Sequence, residues 1–352
     1  MDEIHPKLAS LNTQPEASGF LKGLLDGAYV SSLLFVGPEG AGKRTYATAF
    51  VKSLFCRNGV SCPGCADCRQ VDAKTHPDLL WVQKGFFWPV EEEKKSNVIP
   101  VDVVSGINEK LSLAPMNAPL KIVVVPDAHL MNESAQDKFL KTLEEPPRRG
   151  LILLLTDQPA SLRSTIQSRC RIVRFKPLSI EAAENVLRGR GMDSASSKAA
   201  ALISGGNLKR AFLYADADWR AFLDKAPVDF SKALEGDDES WMRVVDEYEK
   251  LDPGFWDDED LTAAQRKKKV AEEFLRAALA SWDTRVRENR SGKALPTVDP
   301  TLVRASIRRH LDWLSGNLSV RMVLDHLFME VRDIVRTGRN EPLSWMDSAL
   351  RP

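Results

Sequence analysis

The sequence has no surplus of either charge: 49 basic residues are cancelled by 49 acidic ones. A chain that grips nucleic acid alone usually carries a basic excess that releases counterions from phosphates. Bulk attraction to DNA is therefore excluded, and any DNA contact must be local or shared with partners. Long apolar runs are also missing. Residues 151–155 form one of the longest, far short of the roughly 20 needed to span a bilayer, so no membrane segment or membrane partner is expected. The first residues show no basic cluster followed by an apolar stretch, the pattern of a signal peptide, and the expected location is cytoplasmic. Cysteine is scarce, with five residues, too few and too local for a disulfide framework.

What is present is a folded composition, 43% apolar and 28% charged, over 352 residues. That length exceeds one ordinary core and predicts two or three domains. Short apolar runs at 33–36, 79–82, 122–125, 151–155 and 172–175 alternate with helix-like segments. Uninterrupted apolar strands are what a parallel sheet covered on both faces requires. A helix is expected to start at the N-cap Asn132, to stack Ala135, Phe139, Leu140 and Leu143 on one side, and to stop before Pro146-Pro147. The fold class read from this is an α/β domain over 1–176 with a five-stranded parallel sheet. A small helical domain over 177–218 and an all-helical domain over 219–352 follow. Residues 86–93, 252–260 and 289–300 read as loops.

The run 33–36 leads into Gly37-Pro38-Glu39-Gly40-Ala41-Gly42-Lys43-Arg44-Thr45 and then a helix carrying Tyr46, Phe50 and Leu54. Strand, glycine loop and helix stand in the order a phosphate loop needs. Gly37, Gly40 and Gly42 let backbone N–H groups converge on phosphate oxygens, and Lys43 reaches the β and γ phosphates. The hydroxyl that ligates magnesium belongs directly after the lysine, and Arg44 stands there. Thr45 is one residue, about 100° of helix, out of place. The strand 121–125 then ends in Pro126-Asp127-Ala128, where paired acids normally serve magnesium and water activation. Either Pro126 replaces the metal acid or Ala128 replaces the base. Both registers predict little or no ATP hydrolysis, with binding of ATP or ADP left open.

Cys56, Cys62, Cys65 and Cys68 fall within thirteen residues. Four thiolates complete a tetrahedral zinc shell with no open position, so a structural Zn2+ is expected. A redox dithiol at Cys62 and Cys65 leaves Cys56 and Cys68 unexplained.

The string 138–147, Lys-Phe-Leu-Lys-Thr-Leu-Glu-Glu-Pro-Pro, with Ser168-Arg169-Cys170, resembles bacterial clamp-loader subunits of the AAA+ class. The four-cysteine insertion and Thr75-His76-Pro77-Asp78 are similar too. The resemblance implies an AAA+ P-loop domain with a zinc module at 56–68, a helical lid and a helical collar for oligomerisation. It implies work in DNA replication with gamma or tau and delta subunits, and with the sliding clamp and primer-template DNA through the complex. Gamma and tau keep the hydroxyl and the acid pair; the departures here match the delta-prime branch, whose site is degraded.

The resemblance makes Arg169 an arginine finger for the neighbouring subunit's nucleotide; read by position alone, it is a surface arginine at a helix end. It places Thr156 where active relatives sense the γ phosphate, the alternative being a plain strand-end hydroxyl. Lys209, in Gly206-Asn207-Leu208-Lys209, stands where an arginine usually contacts nucleotide, the alternative being a solvated helix start. His76 and His129 read as packing or capping residues. Two competing functions are an active gamma/tau-type ATPase and an independent zinc-dependent nucleic-acid module. The neutral charge disfavours the second.

Overall fold

Alternate residues of each buried strand face opposite sides of a sheet, and here both sides are covered, which is why the strands read as unbroken apolar runs. In the computed structural model, the described residues are 13–28, 30–57, 62, 64–82, 98–214, 217–235, 237–250, 263–289, 299–316 and 318–337. The expected loops at 86–93 and 252–260, and all but the ends of that at 289–300, lie outside them. The chain divides into two units, Met1–Leu213 and Tyr214–Pro352.

The first unit runs α1 (Pro15–Leu25), β1 (Ser32–Val36), α2 (Lys43–Phe55), α3 (Ala66–Asp72), β2 (Leu79–Trp81), α4 (Val101–Ser112), β3 (Lys121–Val125), α5 (Glu133–Glu144), β4 (Gly150–Thr156), α6 (Ser164–Arg169) and β5 (Arg171–Arg174). Three helices follow: α7 (Ile180–Gly189), α8 (Ser194–Ser204) and α9 (Leu208–Leu213). The five strands form one parallel sheet in the order β2-β3-β4-β1-β5. On one face Leu33, Phe35, Ile122, Val124, Leu151, Leu153 and Leu155 pack against α1, α2 and α3 through Leu21, Phe50 and Val71. On the other, Leu34, Val123, Val125, Ile152 and Leu154 pack against α4, α5 and α6 through Val104, Phe139 and Ile166. β5, one of the two edge strands, differs from the rest in that Arg171 and Arg174 are exposed.

Local signals set the helix ends. Asn132 caps α5, its side chain accepting from the Ala135 N–H at 2.8 Å, and α5 ends at Glu144 before the proline pair. Ser179 caps α7 and Asp193 caps α8 in the same way. Gly205, at φ 59°, closes α8.

The second unit is helical: α10 (Ala217–Glu235), α11 (Asp238–Lys250), α12 (Ala263–Asn289), α13 (Pro300–Ser315) and α14 (Val320–Thr337). Phe230, Tyr248, Phe274 and Phe328 meet ring against ring at its centre. No helix among the described residues is long and apolar enough to cross a membrane.

Candidate functional site

Because β1 lies between β4 and β5, the loop that leaves its C-terminal end sits between two other strand ends. This crevice is where open α/β sheets bind ligands. Val36 pairs with Thr156 and with Arg174, and the Gly37 N–H donates to the Thr156 carbonyl at 3.2 Å. β3 ends one strand further along, delivering Asp127 to the same side.

Close approach explains two glycines. A Cβ on Gly37 would lie 2.4 Å from the Phe175 carbonyl oxygen, and one on Gly40 would lie 1.8 Å from Asn207 Oδ1. Gly42 takes φ 91° and starts α2, whose hydrogen-bond ladder begins with Tyr46 N–H to Gly42 O at 2.9 Å. The N–H groups of the preceding turn have no intrahelical partner, the arrangement that holds anions.

Lys43 folds back over its own loop, donating to Gly37 O at 2.6 Å and Pro38 O at 2.8 Å. Burial lowers its pKa, opposed by the nearby carboxylates of Asp157, Asp127 and Glu39. Arg44 Nη2 donates to Asp127 Oδ2 at 2.6 Å, and Thr45 stands exposed on α2 outside that pair. The residues therefore do not fit the magnesium ion that phosphate loops use. A guanidinium occupies the position of the ligating hydroxyl, and it already holds the carboxylate.

Lys209 lies over the loop, its Nζ 2.9 Å from Glu39 Oε1, and the Leu208 N–H donates to Gly40 O at 3.1 Å. The start of α9 thus contacts the phosphate loop through backbone and ion pair. Thr156 is buried; its hydroxyl accepts from the Gln158 N–H at 3.0 Å and lies 3.3 Å from His129 Nδ1. His129 is also 3.4 Å from Asp157 Oδ1. Sequence reasoning found no partner for His129 because Asp157 is brought to it only by the β3–β4 pairing.

Gln14 was also missed. Its side chain donates to Ala41 O and Lys176 O and accepts from the Lys176 N–H, tying the segment before α1 to the phosphate loop. A lone glutamine outside any motif carries no such signal in the sequence.

Arg169 lies at the other end of the sheet. It precedes β5, whose Arg171 pairs with Leu33 at the start of β1, whereas Gly37 follows the far end of β1. Four residues of strand span roughly 13 Å, so Arg169 is remote from its own phosphate loop. There it donates to Glu144 Oε1 at 2.6 Å and to Thr165 O at 3.0 Å.

The four cysteines gather where α2 ends and α3 begins. Cys56 Sγ is 3.7 Å from Cys62 Sγ and 3.9 Å from Cys65 Sγ, and ligand atoms from all four residues lie within 4.8 Å of one another. A tetrahedron with Zn–S bonds of about 2.3 Å has edges of about 3.8 Å, so the donor set and spacing fit a zinc ion held by Cys56, Cys62, Cys65 and Cys68. Backbone N–H groups already point at the sulfurs: Cys65 N to Cys62 Sγ at 3.3 Å and Cys68 N to Cys65 Sγ at 3.4 Å. Those of Cys65 and Gly64 bring the Cys62 thiol down to about 6, while burial pushes the Cys68 thiol up. The fifth cysteine, Cys170, is buried at the end of α6, and burial pushes it up to about 12, the mark of an inert thiol.

His76 supports this corner structurally. Its ring packs on Phe55 at 4.5 Å and its Nδ1 accepts from the Asp78 N–H at 3.1 Å. Asp78, fully buried, accepts from the N–H groups of Met116, Asn117 and Ala118 at 2.7, 2.7 and 2.8 Å.

Residues 13–179 match the family model described as "DNA polymerase III, delta subunit". The chain is similar to the DNA polymerase III subunit delta-prime of Bacillus subtilis, with 31% identity over 53% of this chain and 52% of that one. It is also similar to that of Escherichia coli, with 34% identity over 42% of each. Subunit tau of Bacillus subtilis is 30% identical over 45% of this chain and 27% of its own. The matches thus span about half, or less, of these relatives' lengths. A solved structure, a DNA polymerase III gamma subunit-related protein from Thermotoga maritima, superposes with a TM-score of 0.49 at 16% identity, covering 92% of this chain and 100% of that one.

Proposed function

We propose, from the family match over residues 13–179 and the likeness to the delta-prime and tau subunits, that the chain is a clamp-loader subunit of DNA polymerase III that serves a neighbour's ATP site rather than turning over ATP itself. It assembles with gamma or tau and with delta, and the complex loads the sliding clamp onto primed DNA. The helical unit from Tyr214 onward acts as the collar, and α7–α9 as the lid.

The observation that carries this reading is the separation of Arg169 from Lys43 at opposite ends of the sheet. An arginine remote from its own phosphate loop can stabilise a transferring phosphoryl group only on another chain. Arg44 on Asp127 supports the rest of the reading, because it removes the metal that hydrolysis needs. The cysteine cluster holds zinc structurally, with all four donors supplied by the protein.

Co-purification with gamma or tau and delta subunits, paired with an ATPase assay of the chain alone, tests the proposal. Capture of both partners and background turnover are expected. Turnover well above background, abolished by Lys43→Ala, would instead identify an active gamma/tau-type ATPase.

A further inference from the structure

The contact between Arg44 and Asp127 does more than exclude a metal. In a phosphate loop the divalent ion bridges the acid at the end of a neighbouring strand to the phosphates. Here the guanidinium stands on that acid with its charge built into the chain. Arg44 Nη2 donates to Asp127 Oδ2 at 2.6 Å, and among the described residues this is the guanidinium's one hydrogen-bond partner. A guanidinium carries five N–H donors in a rigid fork, and the Arg44 side chain is 61% exposed. Donors therefore remain for phosphate oxygens, which arginine receives well.

The other parts of an anion cradle are retained beside it. Gly40 and Gly42 keep positive φ, at 73° and 91°, α2 presents its unbonded first-turn N–H groups, and Lys43 is held in the loop. Two of the acids near the loop are each paired with a cation: Asp127 with Arg44 and Glu39 with Lys209. Bare carboxylates at this loop would repel phosphate oxygens and call for a divalent ion to screen them. These two do not.

We propose that this loop binds nucleoside di- and triphosphates free of magnesium, with Arg44 as a fixed cation in the place of the metal. The inference rests on reading the loop as a nucleotide site in a clamp-loader subunit and deepens it: the ligand is ADP or ATP without its usual ion. Such a site holds nucleotide and leaves the phosphoryl group unactivated, so occupancy serves the shape of the subunit and not turnover.

Isothermal titration of the full chain with ADP, once in EDTA and once with excess magnesium chloride, tests this. ADP is expected to bind in EDTA, with magnesium changing Kd by less than about threefold. Lys43→Ala should abolish the binding. Arg44→Thr leaves Asp127 bare and restores a hydroxyl, so its affinity in EDTA should fall about tenfold or more and recover with magnesium. Asp127→Asn, which frees the guanidinium, should keep EDTA binding and guards against misreading a folding defect in Arg44→Thr. No binding of ADP by the unaltered chain in EDTA overturns the proposal. A tenfold or greater gain on adding magnesium, or an Arg44→Thr chain that binds in EDTA as well as the parent, overturns it too. A chain that captures its partners yet titrates only with magnesium defeats this proposal alone. One that titrates in EDTA but captures no partner defeats the clamp-loader reading alone.

Discussion

Arg169 is docked on Glu144, 2.6 Å from guanidinium nitrogen to carboxylate oxygen, so the final turn of α5 holds the arginine at the end of α6. The pair joins the two strings that carried the family resemblance, Leu-Glu-Glu-Pro-Pro at 143–147 and Ser-Arg-Cys at 168–170.

Arg169→Ala should lower the ATPase of the reconstituted complex by about 10- to 1000-fold, because a positive charge on the transferring phosphoryl group is lost. Assembly, read by gel filtration, should be unchanged. Arg169→Lys should restore little, since an ammonium lacks the planar fork. Unchanged turnover in the alanine variant would remove the residue's proposed role. Glu144→Gln should cost the isolated chain no more than about 1 kcal/mol, because the pair is part-exposed and screened by solvent.

Purified without chelator, the chain should carry one zinc per molecule by elemental analysis. Cys56→Ser or Cys68→Ser should lose it, and a strong chelator should lower Tm by about 5 °C or more, reversed by added zinc. Metal-free protein with the parent's Tm would show that the four thiols serve no ion.

Asp78 anchors the loop before β3 with three backbone hydrogen bonds. Burial alone would raise its pKa, but the N–H groups of Met116, Asn117 and Ala118 hold it below the ordinary value of 3.8. A depressed carboxylate contributes stability that is complete above the unfolded value and fades as pH falls below about 4. Asp78→Ala should cost roughly 2–4 kcal/mol, since a fully buried carboxylate and its three charge-assisted hydrogen bonds are lost. Hydrogen exchange at residues 116–118 should speed up in the variant.

In the helical unit His310 Nε2 lies 2.8 Å from His326 Nδ1, and its Nδ1 lies 2.8 Å from Ser306 O. Arg309, Glu330 and Trp313 surround the pair. Burial holds His310 below its ordinary value of 6.5, so folding favours the neutral ring. The unfolded chain then binds more protons once pH falls below about 6.5, and stability should fall as pH drops through that value. Urea melts across that pH should show the slope, and His310→Gln should flatten it. A parent curve as flat as the variant's would contradict the assignment.

Much of this molecule was legible in one dimension because the signals are local. Unbroken apolar runs reported strands buried on both faces, Asn132 and Pro146 bracketed α5, and the four cysteines announced their cluster by spacing alone. The glycine loop and the substitution at Arg44 were likewise visible, since a phosphate loop is a contiguous motif. What the sequence left open was every relationship across the sheet. Whether Asp127 meets Arg44, whether Lys209 reaches Glu39, and that His129 finds Asp157 depend on strand order and register, which place residues far apart in the chain side by side. The separation of Arg169 from Lys43 has the same origin. Parallel strands put all N-terminal ends on one side and all C-terminal ends on the other, so only the folded sheet decided that this arginine faces away from its own phosphate loop.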